Sequence, residues 1–138
     1  MPALNIAMRF VHIFSAITLL GSVLAWRLAV IPATAALAAE TRSKVGDAIA
    51  SRWRPFIICA VAGLLISGLY NFLRKTGLTP AYHAIIGIKI LLALHVFAVA
   101  ILACRAGNPK RDRQLTGVVI SGFIIVALSA VLRGLLIP

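Results

Sequence analysis

Acidic residues are almost missing from this chain. Glu40, Asp47 and Asp112 are the only three carboxylate side chains in 138 residues. None lies within a long apolar run, so an acidic proton relay inside a membrane is not expected. Cysteine is equally scarce. Cys59 and Cys104 stand apart, without a CxxC or CxxCH spacing, which argues against a zinc ribbon and against covalent c-type haem attachment. Both read as small apolar residues inside spans. No glycine-rich phosphate loop is present, and no catalytic constellation emerges. Charged residues of either sign make up 12% of the chain, about half of the ~25% found in soluble domains.

Apolar residues fill the space that charge leaves, at 62% of the chain. They fall into four runs, and one bilayer crossing takes about 20 such residues. The expected fold is therefore all-α, a single domain over 1–138 forming an integral membrane bundle of four transmembrane helices. Its spans are placed near 4–31, 53–73, 81–104 and 114–137. Ala33-Thr34-Ala35 resembles a signal-peptidase site, but the run before it is too long for an ordinary signal peptide, so the first span is expected to be retained. The first span should end near Pro32. The alanine-rich stretch 33–52, with Glu40, Arg42, Lys44 and Asp47, predicts an interfacial helix. Pro55 is tolerable in the first turn of the second span, and Gly77 suits its C-terminal cap. Thr79-Pro80 starts the third span, and Gly107-Asn108-Pro109 marks a turn before the fourth. The short link between the second and third spans predicts antiparallel packing of those two helices. Gly63, Ser67 and Gly68 in the second span are echoed by Gly117, Ser121 and Gly122 in the fourth, and such small residues let helices approach closely.

The formal charge is +11. The basic residues flank apolar runs, so they record topology and contact with anionic lipid rather than nucleic-acid binding. One side of the membrane collects Arg27, Arg42, Lys44, Arg52, Arg54, Arg105, Lys110, Arg111 and Arg113. The side carrying the chain termini has only Arg9, Arg74, Lys75 and Arg133. The positive-inside rule places the first group in the cytoplasm. Both termini are then expected on the outer side, periplasmic if the membrane is a bacterial inner membrane. Below, the terminal side is called side A and the other side B.

Ionisable groups inside spans cost free energy unless paired or functional, which makes His12, His83, Lys89 and His95 the informative residues. At a rise of ~1.5 Å per residue, His12 and Lys89 both lie roughly 12 Å below the side-A boundary. His95 lies deeper, at roughly 20 Å, and His83 sits at the boundary. His83, Lys89 and His95 point about 120° apart on one helix, so they do not line one site together. On the first span, Asn5, Met8, Arg9, His12, Ser15, Ser22 and Trp26 share one side. Ser67, Asn71 and Arg74 share a face of the second span, as do Ser129 and Arg133 of the fourth. These stripes gather polar groups towards side A.

Such a set suits b-type haem, which takes one or two neutral imidazoles and cations for its propionates. His12 is the candidate ligand. His95 is the better second imidazole by burial and His83 the better one by access. Arg9, Arg74, Lys75 and Arg133 are candidates for the propionates. Copper is the competing ligand, because Met8 and His12 are i,i+4 neighbours and Cu(I) accepts thioether and imidazole. Trp26, Trp53, Tyr70 and Tyr82 lie near span ends and read as an interfacial belt.

The segment Ala7-Met8-Arg9-Phe10-Val11-His12-Ile13 resembles the opening of the HemJ/CopD-like membrane proteins. The segment from His83 to Leu92, which carries Lys89, resembles their lysine-bearing helix. The resemblance extends loosely over all four spans. It implies haem b and protoporphyrinogen IX oxidase-like chemistry if the chain follows HemJ, with His12 and Lys89 as the functional histidine and lysine. It implies copper transport if the chain follows CopD. A cofactor-free accessory subunit, in a homo-oligomer or larger membrane complex, is the third expectation. The partners implied are the lipid bilayer and a porphyrin or redox partner.

Overall fold

The computed structural model describes residues 2–75 and 79–134. Among these residues every regular element is helical. Four helical stretches are long and apolar enough to cross a membrane: Pro2–Thr34, Ala39–Leu73, Pro80–Ala103 and Arg111–Gly134. Helix α1 covers Pro2–Ala25, runs through a π-helical turn at Trp26–Val30, and continues as α2 over Ile31–Thr34. Helices α3, α4 and α5 cover Ala39–Leu73, Pro80–Ala103 and Arg111–Gly134.

The boundaries follow from local chemistry. Pro32 stands in the first turn of α2, where its missing N–H removes no necessary bond, so the first crossing passes the expected end at Pro32. The stretch 33–52 is not a separate interfacial helix. The chain breaks only at 35–38, and from Ala39 it is continuous with the second crossing through Pro55. At 35 residues, α3 is about 52 Å long, against about 30 Å of hydrocarbon. Its charged first half therefore projects beyond the membrane on side B. Thr79 caps α4, its Oγ1 accepting the Tyr82 N–H at 3.2 Å. Asn108 accepts the Lys110 N–H at 3.0 Å and donates to Gln114 Oε1 at 2.7 Å, which starts α5 at Arg111, ahead of the expected 114. The Gly77 cap and the end of the fourth span lie outside the described residues.

The helices alternate in direction, but the extensive interfaces are α1 with α3 and α4 with α5. The short link joins α3 to α4, and those two touch less. Small residues shape the contacts of α1. A Cβ on Gly63 would overlap the Ser15 hydroxyl, and one on Gly122 would overlap Leu20 of α1. Glycine thus lets α1 approach both α3 and α5 closely. Helices α1 and α4 stand across the bundle from each other, each packed between α3 and α5.

The apolar core occupies the side-B half. It runs through Leu19, Val23, Trp26, Ile57, Ala60, Val61, Val96, Ala100, Ala103, Leu115 and Val118. Trp26 and Tyr82 do not belong to an interfacial belt: they are 4% and 2% exposed. Trp26 packs on Trp53, with ring centroids 4.9 Å apart, and beneath the guanidinium of Arg111 at 5.7 Å. Arg111, expected as a topological flank, is buried. It donates to the carbonyls of Ala103 and Arg105 at 2.9 and 2.8 Å and to Asp47 Oδ1 at 2.6 Å. The Asp47 carboxylate also accepts the N–H of Gly107 at 3.0 and 3.1 Å. Gly107 has a φ of +64°, a left-handed conformation that glycine adopts at little cost. These bonds fasten the α4–α5 loop to the projecting part of α3. The π turn adds a second tie, since it aims Arg27 Nε at Thr116 Oγ1 of α5, 3.0 Å away.

Three outcomes are expected. Gly63→Ala should destabilise the protein by about 1–3 kcal/mol, the usual cost of overpacking. Gly117→Ala, whose new Cβ meets nothing within 4 Å, should leave thermal unfolding in detergent nearly unchanged. The Asp47 carboxyl is held below its ordinary 3.8, first by the bond from Arg111 and then by the Gly107 N–H. The stability this provides is complete above that ordinary value and is lost as pH falls through the lower, folded-state value. Asp47→Asn should therefore lower the unfolding temperature at neutral pH, with the gap to the native protein closing as the sample is acidified below 3.8.

Candidate functional site

Towards side A the bundle interior changes character. The residues that face it there include His12 on α1, Ser67 on α3, and Tyr82 and Lys89 on α4. His12 is half-buried, and its Nδ1 lies 3.0 Å from Ser67 Oγ. Ser67 is fully buried and donates its hydroxyl proton to the Gly63 carbonyl at 2.5 Å. A serine hydroxyl has one proton. With that proton on Gly63, Ser67 Oγ can only accept from the ring, so Nδ1 carries the hydrogen and neutral His12 keeps a bare lone pair on Nε2. A second-sphere bond of this kind is how a metal-binding imidazole is oriented and its tautomer set. The ring packs against α3 at Gly68, where even an added Cβ would stand at ordinary contact distance, 3.6 Å from His12 Cε1.

Lys89 sits on the bundle-facing stripe of α4. Tyr82, Val96 and Ala103, at steps of seven from it, are all buried. It is half-buried, on the helix that stands across the bundle from α1. Its ammonium has no hydrogen-bond or ion-pair partner among the described residues. The three carboxylate side chains stand at the other end, on side B. Lys89 is thus a cation inside the bundle with no counter-ion among the described residues.

Nearer the side-A surface, Arg74 Nη1 donates to Tyr70 Oη at 2.8 Å, and Tyr70 donates to Asn5 Oδ1 at 2.7 Å. Lys75 Nζ donates to Tyr82 Oη at 2.6 Å and lies 5.0 Å above the same ring. Arg9 and Arg133 are exposed, and Met8 is half-buried one helical turn before His12. Ser22 and Ser129 of the polar stripes bond to carbonyls of their own helices, so they are satisfied locally.

The structure does not bring the histidines together. His95, expected to be the better buried of the two alternatives, is exposed on the outer surface of α4, turned away because it follows Leu94 and precedes the inward-facing Val96. His83 is exposed as well, with its ring edge-on to Tyr82 at 6.4 Å. A second axial imidazole beside His12 is therefore not supplied by this chain's described arrangement. Among the described residues no three of His, Cys, Asp and Glu converge as a metal-holding group. Sequence reasoning missed Tyr82 as an interior residue, although its seven-residue spacing from Lys89 carried the signal. It also missed Ser67 as the partner of His12.

The chain matches no family model, no curated protein and no solved structure.

Ser67→Ala should leave the buried Nδ1–H of His12 without an acceptor, costing about 1–3 kcal/mol. A matching fall in thermal unfolding temperature, measured in detergent, is the expected result.

Proposed function

We propose that the side-A half of the bundle binds haem b, with His12 Nε2 as the protein ligand to iron. The protein would serve in electron transfer or in oxidation of a porphyrin precursor. The observation that carries this reading is a bare imidazole nitrogen and an ammonium that has no partner among the described residues. His12 is held by Ser67 so that Nε2 is free, and Lys89, on the helix across the bundle, has no acceptor among the described residues. The donor set fits one-imidazole ligation. Lys89 and Lys75 suit the carboxylates of a porphyrin, and Arg9, Arg74 and Arg133 surround the side-A mouth for the same purpose. When bound, haem supplies a one-electron iron couple tuned by its axial ligand and by burial. The protein's own contribution is to orient His12 through Ser67, to hold the carboxylates with the lysines, and to close the side-B end with a packed apolar core.

The resemblance of the His12 and Lys89 segments to HemJ/CopD-like proteins supports the same two residues, and it leaves copper handling through Met8 and His12 as the competing outcome. Placement in a bacterial inner membrane with periplasmic termini rests on the excess of basic residues on side B.

A second reading is favoured by His95. An imidazole on the outer surface of α4, about 20 Å from the side-A boundary, would face hydrocarbon at a cost. It has no hydrogen-bond partner among the described residues. A neighbouring subunit covering this face would remove that cost, which supports a homo-oligomer or an accessory subunit of a larger membrane complex.

Visible absorption of the purified protein, oxidised and then dithionite-reduced, tests the haem proposal. A Soret band with sharp reduced bands is expected. His12→Ala should abolish or shift it, and Lys89→Met should weaken haem retention without moving the band. An unchanged spectrum in His12→Ala would remove His12 as ligand. A colourless protein with stoichiometric copper by elemental analysis would overturn haem in favour of copper.

A further inference from the structure

The side-B end carries a cleft unrelated to the His12 site. About 500 Å³ in volume, it lies between α3 and the end of α4, lined by Asp47, Ser51, Arg54, Ile101, Leu102, Cys104, Arg105 and Ala106. We infer that this cleft binds the phosphate headgroup of an anionic phospholipid through Arg54 and Arg105.

Its charge is one-sided. The guanidinium groups of Arg54 and Arg105 make no hydrogen bond or ion pair among the described residues. The two arginines come from different helices: Arg54 opens the second crossing and Arg105 follows the third. Arg54 and Arg105 nevertheless line the same cleft. Asp47 is the one acid in the lining, and its oxygens are taken by Arg111 and by the Gly107 N–H. The free field of the cleft is therefore cationic, and arginine forks match phosphate oxygens.

The wall decides between a lipid and a free anion. Ile101 and Leu102 are 37% and 41% exposed and continue the outer apolar face of α4 down from the arginines. A phosphate held by Arg54 and Arg105 would leave this wall bare. A phospholipid would lay its acyl chains along it. Basic pockets between transmembrane helices at one membrane face take anionic headgroups in this way. The Arg105 backbone is fixed for the role, because its carbonyl accepts from Arg111.

The test uses the full chain, purified in detergent and delipidated, with bound lipid counted by native mass spectrometry. Phosphatidylglycerol, phosphatidylcholine and inorganic phosphate serve as probes. Phosphatidylglycerol should bind in a defined stoichiometry and phosphatidylcholine much more weakly. Arg54→Gln with Arg105→Gln should weaken phosphatidylglycerol binding about 30-fold, from a roughly fivefold contribution by each arginine. Arg42→Gln with Arg113→Gln removes the same charge from side B outside the cleft and should leave binding near the native level. Equal retention of the two lipids by the native protein would overturn the proposal, and this comparison needs no variant to fold. So would native-like binding by the Arg54/Arg105 double variant. Displacement of the lipid by equimolar inorganic phosphate would also overturn it, because the site would then read a free anion.

Discussion

The hydrogen bond between His12 and Ser67 joins the two helices on which the rest of the bundle is built. In hydrocarbon neither an imidazole N–H nor a hydroxyl finds water, so each must find a protein partner or function. Ser67 meets both demands by donating to Gly63 and accepting from His12. That arrangement requires α1 and α3 to lie close together, which glycine at 63 allows. The closeness in turn fixes the depth and rotation of His12. It leaves Nε2 as the nitrogen without a partner among the described residues, and it directs the ring towards the interior that α4 shares.

The two ends of the molecule solve the problem of polarity in opposite ways. On side B a buried guanidinium is fully engaged: Arg111 has two carbonyls, a carboxylate and the Trp26 ring. A buried charge is tolerable when it is paired and hydrogen-bonded in this manner. The contiguous apolar core sits directly beneath it. On side A the interior holds, among the described residues, an ammonium without a carboxylate partner and an imidazole with a free lone pair. Stability is concentrated at one end and unsatisfied bonding capacity at the other, which is a common division between scaffold and site.

Much of this was legible in the sequence, because a bilayer restricts the alternatives. Apolar run length gave four crossings, and four helices long and apolar enough to make them are present. The errors share a cause. Trp26, Tyr82 and Arg111 lie near span ends, where aromatic and basic residues usually face headgroups, and only tertiary packing turned them inward. His95 reads as the better buried alternative from its depth along the helix, although its angle already sets it apart from Lys89. Val96, one residue on, takes the inward position that heptad steps from Tyr82 and Lys89 define. The projecting half of α3 was read as an interfacial helix because Pro55 suggested a start, whereas the helix continues through it. Why α1 with α3 and α4 with α5 pack more extensively than α3 with α4 depends on which side chains meet, and spacing alone does not encode that.

The claim on which the site depends is that His12 presents a bare Nε2 to the bundle interior. Nitrogen-15 NMR of the imidazole in the purified, cofactor-free protein at neutral pH measures this directly. A protonated Nδ1 and an unprotonated Nε2 are expected for His12. A hydrogen resident on Nε2, with Nδ1 bare, would contradict the Ser67 arrangement and remove the ligand on which the proposed function rests.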